Sequence, residues 1–265
     1  MQALLDLIST ARVFDLAQPY YVGMPHHPAH PPFLFGLTKQ HGDYIAANGA
    51  SSAADALALG SHNGTHIDAL CHFSCGGMLH GGIPAREVQS PGGGLRTYSI
   101  DTVAPILRRA VLLDIAGLEG DAPLAPDYEI THAHLDAAVR AQKVEIRPGD
   151  IVLLRTGWAQ YWNDAARFLS QVCGPGPGIE GARWLSSRGV FAAGSDTVAF
   201  ERVPDNNMPV HVHLLVESGI HIIECLNLEE LAASRVNAFL FVAAPLKLTG
   251  ATGSPVRPLA VVSGE

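Results

Sequence analysis

Apolar residues fall along this chain in short runs of strand length, broken by segments of helical period and by stretches rich in glycine and proline. Runs at 110–115, 151–155, 190–193, 220–224 and 238–243 are built mainly from Val, Ile, Leu, Ala and Phe. Between them, Thr131 is placed to cap a helix reaching to about Gln142, with Leu135, Ala138 and Val139 on one face. A short helix from Ala182 to Arg188 is stopped by Gly189, and another from His211 to Ser218 is closed by Gly219. Strands interleaved with helices predict an α/β fold around a largely buried sheet. Two stretches belong to no regular element. Residues 25–32 carry four prolines among three histidines, and residues 75–82 carry four glycines. Such loops more often bind ligands than fill a core.

One segment stands apart. Residues 61–72 read Ser-His-Asn-Gly-Thr-His-Ile-Asp-Ala-Leu-Cys-His, with His62, His66, Asp68 and His72 as metal-competent side chains. Imidazole and carboxylate together form a ligand set for a divalent transition metal. His66 and Asp68 lie two apart, so on an extended segment both point to one face. Gly64 lets the backbone turn tightly enough to bring His62 round to that face. His72, four residues beyond Asp68, would face the same cavity without being a ligand. A metal that holds water, with a free base beside it, supplies the parts needed for hydrolysis at neutral pH. No Cys-x-x-Cys accompanies the cluster, so it is not a zinc-finger pattern. A Cys71–His72 nucleophilic pair is geometrically poor, because neighbours along a strand point to opposite faces.

His62-x-Gly64-Thr65-His66-x-Asp68-x-x-x-His72 resembles the signature of the cyclase-like metal-dependent hydrolases, a family that includes kynurenine formamidase, isatin hydrolase and trans-dienelactone hydrolase. The resemblance continues through Arg155-Thr156-Gly157-Trp158, Gly194-Ser195-Asp196-Thr197, Pro209-Val210-His211, Ile222-Ile223-Glu224, Pro245-Leu246-Lys247 and Gly253-Ser254-Pro255-Val256-Arg257, and so covers most of the chain from about Phe14 onward. Leu70 stands where the family usually has proline, which touches loop stiffness more than ligand chemistry. The resemblance implies a mixed sheet partly closed into a barrel with flanking helices, of the swivelling β/β/α type, in one domain over residues 1–265. It also implies homo-oligomers, dimer or tetramer. His62, His66 and Asp68 would bind a first metal, and His211 and Glu224 would bind a second or complete the site. Asp68 is the natural bridge between two metals, since a carboxylate has two oxygens to share. His72 would serve as general base and then general acid. His213 rivals His211, but two residues apart on a helix they face different ways.

Composition narrows the remaining classes. The 265 residues are 48% hydrophobic and 16% charged, which fits a compact chain able to bury a core. A net charge of −8 argues against a nucleic-acid partner. No apolar run reaches the roughly 18 residues of a membrane span. The Met1–Leu5 start lacks the basic residues and apolar stretch of a signal peptide, so a cytoplasmic location is expected. Cys71, Cys75, Cys173 and Cys225 show no disulfide framework.

The expected activity is metal-dependent hydrolysis of an amide, cyclic amide or lactone carbonyl in a small, aromatic-derived molecule, by a metal-held hydroxide with a histidine base. Alternatives are an arylformamidase proper, a non-catalytic metal- or ligand-binding relative, and a cysteine-nucleophile hydrolase. The cofactor would be one or two divalent ions, zinc or manganese. The loops from Leu118 to Tyr128 and from Asp164 to Gly178 are extra length relative to formamidases and suggest a different pocket. Phe33, Trp158 and Trp162 are candidates for its walls, although aromatic residues are more often core. His26, His27 and His30 are candidates for substrate contact. His132 and His134 are expected to be solvated, and His80 and His221 have no strong claim.

Overall fold

The computed structural model describes residues 9–264; the Met1–Leu5 start lies outside them. Nine strands form its central mixed sheet: β1 (Arg12–Asp15), β2 (His66–Asp68), β3 (Ile106–Asp114), β4 (Ile151–Arg155), β5 (Ala192–Ser195), β6 (His221–Glu224), β7 (Ala238–Ala243), β8 (Gly253–Pro255) and β9 (Leu259–Val262). Their spatial order is β1-β9-β7-β3-β4-β5-β6-β2-β8, curled into a half-barrel as expected. The four strands β3 to β6 are parallel, and every other pairing in the sheet is antiparallel.

The apolar runs become the central strands because both of their faces are covered. Leu112 and Leu153 point into a cluster with Phe14, Ile223 and Phe241. Their neighbours Val111, Leu113, Val152 and Leu154 point the other way, against Leu135, Ala138 and Leu185 of two helices. Those helices are α1 (His132–Gln142) and α2 (Ile179–Ser187). Each fully buried Leu or Val contributes roughly 1.5–3 kcal/mol, so this double-sided core holds the strand ends in register.

Three local expectations need correction. Helix α2 starts at Ile179 rather than Ala182, with Arg188 as its C-cap. His134 is not simply solvated, because its Nδ1 accepts the Thr131 backbone N–H at 3.1 Å and closes the start of α1. The predicted helix at 211–218 is one α-turn (Pro209–His211) continued by a π-helix (Val212–Ser218). π-turns are rare and often sit at functional sites. His80 donates Nδ1–H to the Val216 carbonyl (2.8 Å), and Gly219 follows at φ +66. A Cβ at Gly219 would sit 2.7 Å from the His80 ring, so the stop also makes room for that contact.

Candidate metal centre

Sheet register assembles the site. Glu224 of β6 pairs directly with His66 of β2. Directly opposed residues of an antiparallel pair project to one face, and Asp68, two residues along, shares it. Ile67 and Ile223 point the opposite way into the core. His62 reaches this face from the preceding turn, where Gly64 sits at φ +59 with Tyr20 packed so closely that a Cβ would lie 2.6 Å from Tyr20 Cζ. The Tyr20 hydroxyl lies 2.7 Å from the Asn63 carbonyl and 2.9 Å from that of Thr65. Thr65 Oγ1 in turn donates to the Cys225 carbonyl (2.6 Å), tying the turn to the end of β6. His211 arrives at the start of its helix, where Glu201 Oε1 accepts the backbone N–H of Val210 (2.8 Å) and His211 (3.2 Å).

The inner atoms converge. His66 Nε2 lies 3.5 Å from Asp68 Oδ1 and 3.4 Å from Glu224 Oε2. His211 Nε2 lies 3.2 Å from Glu224 Oε1 and 3.9 Å from Asp68 Oδ2. His62 Nδ1 lies 2.7 Å from Asp68 Oδ1. His66, Asp68 and Glu224 form one grouping able to hold an ion, and His62, Asp68 and His72 form another. Asp68 belongs to both.

The outer nitrogens are tied elsewhere. His66 Nδ1 donates to the Gly64 carbonyl (2.7 Å). His62 Nε2 meets Thr252 Oγ1 at 2.8 Å. His211 Nδ1 faces Glu201 Oε2 at 3.4 Å. An imidazole that gives its one proton outward keeps a lone pair on the other nitrogen, the tautomer a metal ligand needs. His221 adds support from below, donating Nδ1–H to the Asp68 carbonyl (2.8 Å). Sequence patterns gave no local signal for Glu201 or Thr252, because each acts from a distant segment.

Charge at the site is strongly coupled. Burial alone would raise Asp68, but His72, His62 and His66 outweigh it and hold the carboxyl well below its usual range. Burial likewise opposes ionisation of Glu224, yet hydrogen bonds from His211 and His66 hold it at about 2. His211 is disfavoured as a cation by burial, but Glu201 and Glu224 lift it to about 10. The same negative charge would attract a divalent cation. One atom makes the fit specific: Asp68 Oδ2 is buried and has no hydrogen-bond partner among the described residues. An unpaired buried carboxylate oxygen is costly, and a cation shared with His211 Nε2 would relieve that cost.

His72 differs from the others. Its ring stacks on His62 with centroids 3.9 Å apart and makes no side-chain hydrogen bond among the described residues. Burial pushes it down to about 3, opposed by Asp68 and reinforced by His62 and His211, so it is a neutral imidazole with an available lone pair. It faces the same cavity as expected, and with His62 and Asp68 it also has the reach of a ligand.

The cavity above the site, ≈ 510 Å³, takes in His27 and His30 but not His26. Phe33, Trp158 and Trp162 are core instead, packed with Phe168 and Met24, and both indole N–H groups are spent on backbone carbonyls. His213 turns away to Glu217 (2.7 Å) and Ser186 (2.8 Å). Of the two loops singled out for length, 164–178 reaches the cavity through Gln171 and Val172, whereas Asp121 of the other pairs with Arg155. The Arg-Thr-Gly-Trp and Gly-Ser-Asp-Thr segments lock strand ends together, Thr156 N and Oγ1 both donating to Asp196 Oδ1 at 2.9 and 2.6 Å. Burial pushes the Cys71 thiol up to about 11, which leaves it a poor nucleophile. No helix among the described residues is long and apolar enough to cross a membrane.

Comparison with known proteins agrees with this architecture. A family model described as "Putative cyclase" matches residues 14–202. The isatin hydrolase of Roseibium aggregatum is 28% identical over 214 residues, 78% of this chain and 73% of that one. The kynurenine formamidase of Bacillus mycoides is 25% identical over 253 residues, 94% and 97% of the two chains. The crystal structure of a novel cyclase superposes with a TM-score of 0.88 at 34% identity, covering 99% of this chain and 90% of the other.

Proposed function

The chain belongs to the putative cyclase family, and from that premise we propose that it is a metal-dependent hydrolase opening an amide-type or lactone carbonyl in a small organic molecule. The observation that carries the metal is the convergence of His66, Asp68, Glu224, His211 and His62, whose inner nitrogens each face a carboxylate oxygen and would exchange a proton for the ion, beside an Asp68 Oδ2 with no hydrogen-bond partner among the described residues. His62, His66 and Asp68 would hold one ion, and His211 and Glu224 would complete the site or hold a second with Asp68 shared. The donor set suits zinc and manganese alike. When bound, such an ion supplies positive charge that acidifies water and polarises a carbonyl.

The protein's own groups do the rest. His72 offers a neutral imidazole at the cavity floor, placed to take a proton from the attacking water and pass it to the departing nitrogen or oxygen. His62, stacked against it, fixes the plane of that ring. The Phe73 ring lies 4.8 Å from the His211 ring and gives that side of the cavity an apolar face. The raised Cys71 thiol argues against a cysteine-nucleophile route. The test is hydrolysis of aryl formamides, cyclic amides and lactones with and without chelator. Activity that falls with chelation and returns with zinc or manganese supports the reading, and full activity in metal-stripped protein overturns it.

A further inference from the structure

Above its histidine and glutamate floor, the cavity mixes apolar and polar side chains. Phe73, Val172, Val198, Val203, Pro204 and Met208 supply its larger apolar side chains. No Lys or Arg among the described residues lines it, and its only carboxylates are Glu224, at the floor, and Asp205. Arg202 is adjacent in sequence to Val203, yet it is turned away and paired with Glu129 at 3.1 Å. Arg155 is likewise spent, on Asp114, Asp121 and Glu229. The remaining polar groups above the floor are Gln171, Asn206, His27 and His30.

Backbone strain shapes this wall. Ser170, Gln171 and Val172 are three successive residues at φ +42, +60 and +61. A β-branched residue in that region is an outlier that persists only where the surroundings impose it, and such strain gathers at functional sites. Here it turns Gln171 and Val172 into the cavity.

Resting on the hydrolase reading, the geometry points to a substrate that is uncharged beyond its reacting carbonyl: a flat, neutral aryl or cyclic amide or lactone, and not an amide bearing a carboxylate or ammonium. A distal carboxylate would be desolvated against Val172, Val198 and Met208 with no Lys or Arg to meet it, and Asp205 would repel it. Any positive charge at the floor faces the scissile carbonyl, which leaves the wall without compensation. A flat ring fits beside Phe73, whose own ring lies tilted by 36° to His211.

A matched pair of formanilides tests this on the metal-loaded protein, one with a para-carboxamide and one with a para-carboxylate, each rate divided by that for alkaline hydrolysis. A third, para-aminomethyl, compound carries the cation. The carboxamide is expected to lead the carboxylate by about 100-fold in kcat/KM, the scale set by an unpaired buried charge. Asn206→Lys, at the exposed rim, is expected to narrow that ratio by about tenfold. Equal or better turnover of either charged compound overturns the inference while leaving the hydrolase reading intact. If none is hydrolysed, that counts against the hydrolase reading. Calorimetric binding of benzamide, benzoate and benzylammonium then decides the pocket's preference, tighter benzamide supporting it and a tighter ion overturning it.

Discussion

Replacing Glu201 by glutamine isolates one charge while keeping the shape of the site. Glu201 is 1% exposed and accepts three N–H groups, two from the backbone at Val210 and His211 and one from His211 Nδ1. A glutamine oxygen in place of Oε1 keeps both backbone bonds, so the helix start stays capped. Its amide NH₂ then confronts His211 Nδ1–H, two donors facing each other. The loss is one hydrogen bond to a charged acceptor, about 1.5–3 kcal/mol. Removing an outer partner of a ligating histidine costs about 10–100-fold in metal affinity, which converts to about 1.4–2.7 kcal/mol, so two independent routes give the same scale. Competition against a chromogenic chelator would measure zinc affinity in both proteins, with thermal melting of the metal-free forms as the fold control. The expected outcome is a 10–100-fold weakening of the ion held by His211 and Glu224, with melting temperatures close together. Unchanged affinity in a folded variant would refute the role given to Glu201.

Glu224→Gln should lower metal stoichiometry or affinity, whereas Glu217→Gln, on the same helix as His211 but paired with His213, should leave both unchanged; equal effects would mean that the ligand is misassigned. His72→Asn should retain most bound metal while turnover falls by about 10²–10⁴, the range for a lost general base, and loss of metal in parallel with activity would make His72 a ligand instead. Asp196 tests the linkage of stability to pH. Burial raises its carboxyl to about 6, so its contribution is fully present below the unfolded value near 3.8 and is lost as pH rises through 6. The span is worth about 3 kcal/mol, and Asp196→Asn should remove that decline from the denaturation profile between pH 4 and 7; an identical slope in both proteins would count against it.

How much of this was legible in sequence follows from distance along the chain. His66 and Asp68 share a face because two residues on a strand always do, and nothing beyond local geometry was needed. The apolar runs likewise announced the buried strands. Glu224 is different: it meets His66 only through the register of β6 on β2, 158 residues away, and period alone does not encode register. Family resemblance pointed to Glu224 and His211 but not to Glu201 or Thr252, whose types are unremarkable and whose partners lie 10 and 190 residues away. The aromatic residues took their commoner place, in the core, for a physical reason. Trp158 and Trp162 have backbone carbonyls for their indole N–H groups, so they sit comfortably in the core, and smaller aliphatic residues line the cavity.

Elemental analysis of purified protein, beside the doubly substituted His62→Ala, His66→Ala protein, tests the metal centre most directly. One or two equivalents of divalent metal are expected in the parent chain, and a folded double variant with essentially none and no hydrolysis. Full metal occupancy in that variant would contradict the assignment of the site, and a metal-free parent that still hydrolyses amides would contradict the central claim.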